Sequence, residues 1–148
     1  MGFPYIFPIF LGKGLENMAN GIKTRLQTIT DMAHVFSANE LPNVVNDFPC
    51  ALILPSTIEY NKSFTNKNDV NFRILILMSK QDNPSALNRL LDYIDPSGSD
   101  SVYAAIDADT TLGGAADDSM VVRCSGVGST VWGGYTYLST EFEIMVYG

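Results

Sequence analysis

The run Val70-Asn-Phe-Arg-Ile-Leu-Ile-Leu-Met-Ser79 constrains the fold of this chain more than any other feature. Successive side chains of a strand alternate between its faces, so Phe72, Ile74, Ile76 and Met78 share one face. Asn71 and Arg73 begin the other face as polar, but Leu75 and Leu77 then turn it apolar. A strand apolar on both faces in its second half is central in its sheet or covered on both sides. One of those covers can be another subunit, which makes Leu75 and Leu77 candidate contact residues.

Other elements arrange themselves around this strand. Ile22, Leu26, Ile29, Ala33 and Phe36 recur at helical spacing, with Lys23, Gln27, Thr30 and Asp31 on the opposite side, so an amphipathic helix is expected over 15–36. Cys50-Ala-Leu-Ile-Leu54 lies between Pro49 and Pro55 and reads as a buried or edge strand. Residues 56–70 are polar around Tyr60 and Phe64 and read as a loop or long hairpin connection that projects if its flanking strands pair. Asp82-Asn-Pro-Ser85 opens a helix with Pro84 in the first turn. Leu87, Leu90, Leu91 and Ile94 form its stripe. A short third helix carries Val102, Ala105 and Ile106. Strands are expected at 119–125, 132–138 and 142–147, with turns at Gly126-Val-Gly128 and Ser139-Thr140. The pattern predicts a single α+β domain over 15–148. Its sheet is mainly antiparallel or mixed, of about five strands, with two to three helices packed on one face.

Residues 1–14 form an apolar N-terminal arm ahead of that domain. Phe3, Tyr5, Phe7 and Phe10 are costly in water, so the arm packs on its own domain or on a neighbour. A neighbour is favoured, because a terminal arm has few other places to go. The arm does not read as a targeting segment: no basic stretch precedes it, Pro4 and Pro8 interrupt it, and no small-residue cleavage site follows. A bilayer-spanning helix needs about 20 apolar residues, and no run reaches that length.

Charge is sparse and uneven. Only 17% of the 148 residues are charged, below the roughly 25% of an average soluble protein. Such a weakly charged surface is often partly hidden in an assembly. The net charge of -7 argues against a domain that coats phosphate backbones, which needs clustered cations. Through Gln81 seven bases face six acids; from Asp82 onward ten acids face two bases, Arg89 and Arg123. One part of the surface therefore carries most of the negative field.

Motifs for chemistry do not assemble. Cys50 and Cys124 make neither a disulfide framework nor a zinc site and are expected as buried free thiols. His34 is the single histidine and is expected near the end of the first helix, partly exposed. Gly12-Lys-Gly14 lacks the spacing of a phosphate-binding loop. Counted from Asp107, the sixth and twelfth positions of a calcium loop hold Leu112 and Asp118 rather than glycine and glutamate. Asp107 and Asp109 are expected to bond turn amides. The sequence presents no catalytic constellation, no cofactor site and no metal site, and the chain is expected not to be an enzyme.

The order of segments carries a resemblance. An amphipathic helix leads to Phe48-Pro-Cys-Ala-Leu-Ile-Leu-Pro55, then to a polar loop with Tyr60 and the two-faced strand. Asn88-Arg-Leu-Leu-Asp-Tyr-Ile-Asp-Pro-Ser-Gly98 follows, then Ser101-Val-Tyr-Ala-Ala-Ile106, Thr111-Leu-Gly-Gly114 and Val131-Trp-Gly-Gly-Tyr-Thr-Tyr137. From about Gly21 to Tyr147 this order resembles the tail terminator, or tail completion, proteins of long-tailed bacteriophages. The apolar arm departs from that pattern.

The resemblance implies a structural virion protein of the neck. It implies a ring, usually a hexamer, that caps the tail tube, stops tube growth and presents the joining surface to the head. The implied partners are further copies of the chain, the major tail tube protein and a head-completion or connector protein. DNA passes through the lumen without specific binding, and no membrane is involved. The implied location is the virion tail or neck, and the host cytoplasm during assembly. A neck or head-completion protein of the same assembly is the alternative. On this reading Asp107, Asp109, Asp117 and Asp118 line the lumen, and an acidic lining keeps a duplex sliding. Tyr60 and Phe64 then anchor a clasp onto the tube protein or the adjacent subunit.

Overall fold

The computed structural model describes residues 14–60, 64, 66–79 and 84–148. The arm residues Phe3, Tyr5, Phe7 and Phe10, and Asp82 and Asn83, either of which is expected to cap the second helix, lie outside the described residues. Three helices are present: α1 over Gly14–Leu26, α2 over Pro84–Ile94 and α3 over Val102–Asp107. Six strands form one sheet: β1 His34–Phe36, β2 Cys50–Glu59, β3 Asp69–Ser79, β4 Asp118–Cys124, β5 Gly128–Trp132 and β6 Tyr135–Tyr147. The spatial order is β1-β2-β3-β6-β4, and β5 also pairs with β6. The β1–β2 pair is parallel and all others are antiparallel, so the sheet is mixed. The single-domain α+β class is as expected, with one strand more.

The two-faced strand is central, as its composition demands. β3 lies between β2 and β6, and its residues sort by parity into two cores. Val70, Phe72, Ile74, Ile76 and Met78 join Ile53, Phe142, Ile144 and Val146 in the larger one, together with buried residues from all three helices. These include Ile22 and Leu26 of α1, Leu90 and Tyr93 of α2, and Val102 and Ile106 of α3. Each fully buried side chain of this size contributes about 1.5–3 kcal/mol of transfer free energy. Leu75 and Leu77 face the other way, into a smaller core with Val45, Cys50, Leu52 and Tyr137.

That smaller core corrects the expectation for Leu75 and Leu77. Both are buried within the chain, at 3% and 0% exposure, and are core residues rather than contact residues. Their cover is the chain's own: Phe36, Leu41 and Phe48 around the 37–49 segment, and Trp132 from β5. Nothing in the periodicity of β3 distinguishes such a cover from a second subunit.

Two other boundaries differ. The helix expected over 15–36 ends at Leu26. Thr28 Oγ1 accepts no helical role and instead donates to the Arg25 carbonyl at 2.6 Å, the backbone-competing bond that weakens threonine in helices. Ile29 and Val35 remain buried beyond the helix end, which prolongs the apolar stripe without prolonging the helix. His34 and Phe36 therefore belong to a strand, and His34 is exposed with its ring 4.0 Å from that of Phe36.

The turn expected at Ser139-Thr140 is the interior of one thirteen-residue strand, β6. Both residues are buried and satisfied there. Ser139 Oγ meets Thr130 Oγ1 at 2.7 Å, and Thr140 Oγ1 donates to the Gly126 carbonyl at 2.7 Å. The chain reverses at Gly133-Gly134, whose φ values of 59° and 86° suit the two-residue hairpin between β5 and β6.

Candidate functional site

Strand register gathers one end of the sheet into a row. Glu59 of β2 pairs with Asp69 of β3, Asp69 with Tyr147 of β6, and Tyr147 with Asp118 of β4. Three carboxylates thus stand across four neighbouring strands at the same end. Asp117 adjoins them, its backbone amide donating to the Tyr147 carbonyl at 2.8 Å. Glu59 and Asp69 drew no notice in the sequence, because only the register aligns them with Asp118.

The connection between β2 and β3 leaves from this same end. Its root is pinned to the C-terminus by a reciprocal pair: Asn68 N–H donates to the Gly148 carbonyl at 2.8 Å, and Gly148 N–H donates to Asn68 at 3.1 Å. Lys67 Nζ lies 3.2 Å from Asp117 Oδ2, an exposed pair of small energetic weight. Tyr60 and Phe64 stand out from this connection, 72% and 104% exposed. Large aromatics held this far out of the core are interface anchors when a partner covers them.

The four acids expected to line a lumen are split in their local roles. Asp107 ends α3 and borders a groove of about 140 Å³ with Tyr103, Ile106, Ser119, Met120 and Val121. Asp109 is a turn residue, as expected. Its carboxylate accepts from Thr111 Oγ1 at 2.7 Å, Thr111 N–H at 3.2 Å and Gly113 N–H at 3.1 Å. These bonds hold its pKa below the usual carboxylate range. Asp118 Oδ1 accepts from Ser119 N–H at 2.9 Å. Asp117 and Asp118 therefore belong to the sheet-end row, while Asp107 closes α3 and Asp109 sits on the connection from α3 to β4.

Cys50 is buried, and burial pushes its thiol up to about 12. Cys124 is only half-buried, with its sulfur 3.0 Å from Thr140 Oγ1. Among the described residues no group of three or more His, Cys, Asp or Glu is placed so that it could hold a metal ion, and none of the described helices is long and apolar enough to cross a membrane. What the sheet end offers is shape, exposed aromatic surface and negative charge. Compared with known proteins, the sequence matches no family model and no curated protein.

Proposed function

We propose that this chain is a structural protein of the bacteriophage neck, a tail terminator that forms a ring on the last turn of the tail tube. The observation that carries the proposal is that the exposed Tyr60 and Phe64 belong to the connection leaving the same end of the sheet as the Glu59, Asp69, Asp117 and Asp118 carboxylates. The aromatics supply the anchors of a clasp onto the tube or the adjacent subunit. The carboxylates supply a surface that repels a passing duplex and leaves it free to slide. A closed ring requires one heterologous contact repeated around an axis. A cap of this kind works without making or breaking covalent bonds.

End-binding has a distinctive stoichiometry. In co-sedimentation with polymerised tube protein, bound chain saturates at a level set by the number of tube ends and does not rise when tubes are lengthened at constant end number. Binding in proportion to tube mass, or no binding at all, contradicts the proposal. A head-completion protein binds the head-side connector and leaves bare tube ends empty.

A further inference from the structure

The described residues leave two long edges of the sheet open: the outer side of β2 beyond Leu52, which Pro55 interrupts, and the outer side of β4. β4 is terminal in the strand order, and its outer side pairs with no described strand. Proteins blunt such edges with lysine, proline or a covering element, because unpaired N–H and C=O groups template further strands. β4 reads Asp-Ser-Met-Val-Val-Arg-Cys; its charges, Asp118 and Arg123, lie toward its two ends, and Ser119–Val122 between them carries neither charge nor proline. Met120 is 60% and Val122 45% exposed along it, and Tyr103 of α3 is 42% exposed beside the groove that follows it.

A segment suited to that edge exists in the chain. Residues 2–12 carry no charged side chain. Phe3, Tyr5, Phe7 and Ile9 share one parity; Pro4, Ile6, Pro8 and Phe10 share the other. In an antiparallel ladder, both backbone polar groups of a residue point to the same edge and alternate residues point to opposite edges. Proline lacks an N–H and is confined to the unpaired edge of a sheet. Pro4 and Pro8 therefore blunt one edge of such a strand, while Phe3, Tyr5, Phe7 and Ile9 keep their N–H groups for the other. Both faces are apolar, as an edge bearing Met120 and Val121 on opposite faces requires.

The root of the segment favours its own domain. A Cβ placed on Gly148 would lie 3.1 Å from Met18 Cε, 3.3 Å from Ala116 Cα and 3.4 Å from the Asp117 nitrogen. The first turns of α1 thus abut the start of β4, and Gly14 is only about 6 Å of helix before Met18. The thirteen preceding residues reach about 43 Å when extended, against about 23 Å for the seven of β4. A tethered segment acts at roughly millimolar effective concentration, far above that of a free copy.

We propose that the chain's own residues 3–9 add antiparallel to the outer edge of β4, as a seventh strand whose prolines end the sheet. The prolines make the parity testable. Ile6→Pro places a proline on the outward side and leaves the added strand intact. Tyr5→Pro removes an N–H that the ladder needs. Hydrogen exchange of the 119–123 amides in the full chain is the readout. The Tyr5→Pro chain, and one lacking residues 2–12, exchange at least about tenfold faster there than the parent, and Ile6→Pro does not. Equal exchange in all four chains, or equal loss in both proline variants, overturns the proposal. Disulfide trapping is independent of that result. With Cys124→Ser, the pairs of Met120→Cys with Tyr5→Cys, Phe7→Cys or Ile9→Cys are oxidised and run on a non-reducing gel. At least one pair closes within a monomer; cross-linked dimers only, or no cross-link in any pair, overturns it.

Discussion

Trp132 donates its indole Nε1–H to the carbonyl oxygen of Pro42 across 2.9 Å. This bond ties the β5–β6 hairpin to the 37–49 segment and holds the lid over the smaller core. The same contact is steric at the hairpin turn. A Cβ on Gly133 would fall 2.3 Å from the Asn43 carbonyl oxygen, and its φ of 59° already favours glycine. Trp132→Phe keeps most of the packing and leaves the Pro42 carbonyl without its donor. Urea denaturation is expected to show a loss of about 1 kcal/mol. Trp132→Ala loses about 3 kcal/mol or more, since the ring also fills the core edge.

Gly21 lets α1 approach the backbone of Leu112 closely. It sits in α1 where a Cβ would meet the Leu112 carbonyl oxygen at 2.6 Å and Leu112 Cβ at 2.8 Å. Alanine raises helix propensity by about 1 kcal/mol at an unobstructed site. Here the clash with backbone wins, and Gly21→Ala is expected to lower stability by about 1–3 kcal/mol. Thermal denaturation checks the sign, which propensity alone gives the other way.

Tyr137 is fully buried against Phe48, with ring centroids 5.6 Å apart, and its hydroxyl finds no partner among the described residues. Burying an unpaired hydroxyl costs about 1–3 kcal/mol. Tyr137→Phe is therefore expected to be neutral or stabilising by about 1 kcal/mol, measured as a shift in urea midpoint. A large loss contradicts the assignment.

Acid lowers stability through two carboxylates held by arginines. Arg89, with help from the Tyr93 hydroxyl at 2.9 Å, holds Asp31 below its ordinary pKa. Arg73 does the same to Glu141 through two bonds of 3.0 and 2.7 Å. A depressed carboxylate adds stability above its unfolded pKa of about 4, and that contribution disappears as pH falls through the folded value. Asp100, raised mainly by burial, acts in the opposite sense over the same range. The net expectation is a urea midpoint that falls from pH 7 to pH 3, with a smaller fall in Arg73→Met than in the parent.

How far the sequence revealed this molecule depends on the length of the pattern involved. β3 was legible because residues 70–79 read as one strand, with Phe72, Ile74, Ile76 and Met78 on one face throughout and Leu75 and Leu77 turning the other face apolar. α2 and α3 were legible from their stripes, and Ser101 caps α3 through a bond to Ala104 N–H of 3.1 Å. β1 was not, since three residues in parallel pairing carry no period of their own. Ser139 and Thr140 read as a turn because their partners, Thr130 and Gly126, lie nine and fourteen residues away. The sheet-end row was half legible: Asp117 and Asp118 stand out as neighbours, whereas Glu59 and Asp69 join them only through register.

Tyr60 and Phe64 separate docking from folding. Neither packs in a core, so Tyr60→Ser with Phe64→Ser is expected to change stability by less than about 0.5 kcal/mol. Sedimentation with tubes is expected to fall at least about tenfold, as for the loss of interface anchors. Unchanged docking rejects the clasp.

The central claim is that this chain acts by capping. Electron microscopy of tube protein polymerised with and without it tests that claim most directly. The account predicts short tubes of uniform appearance with an annular density at one tip, and long tubes with bare tips when the chain is omitted. Tubes of the same length in both mixtures, with bare tips and the chain left free as single subunits, would contradict it.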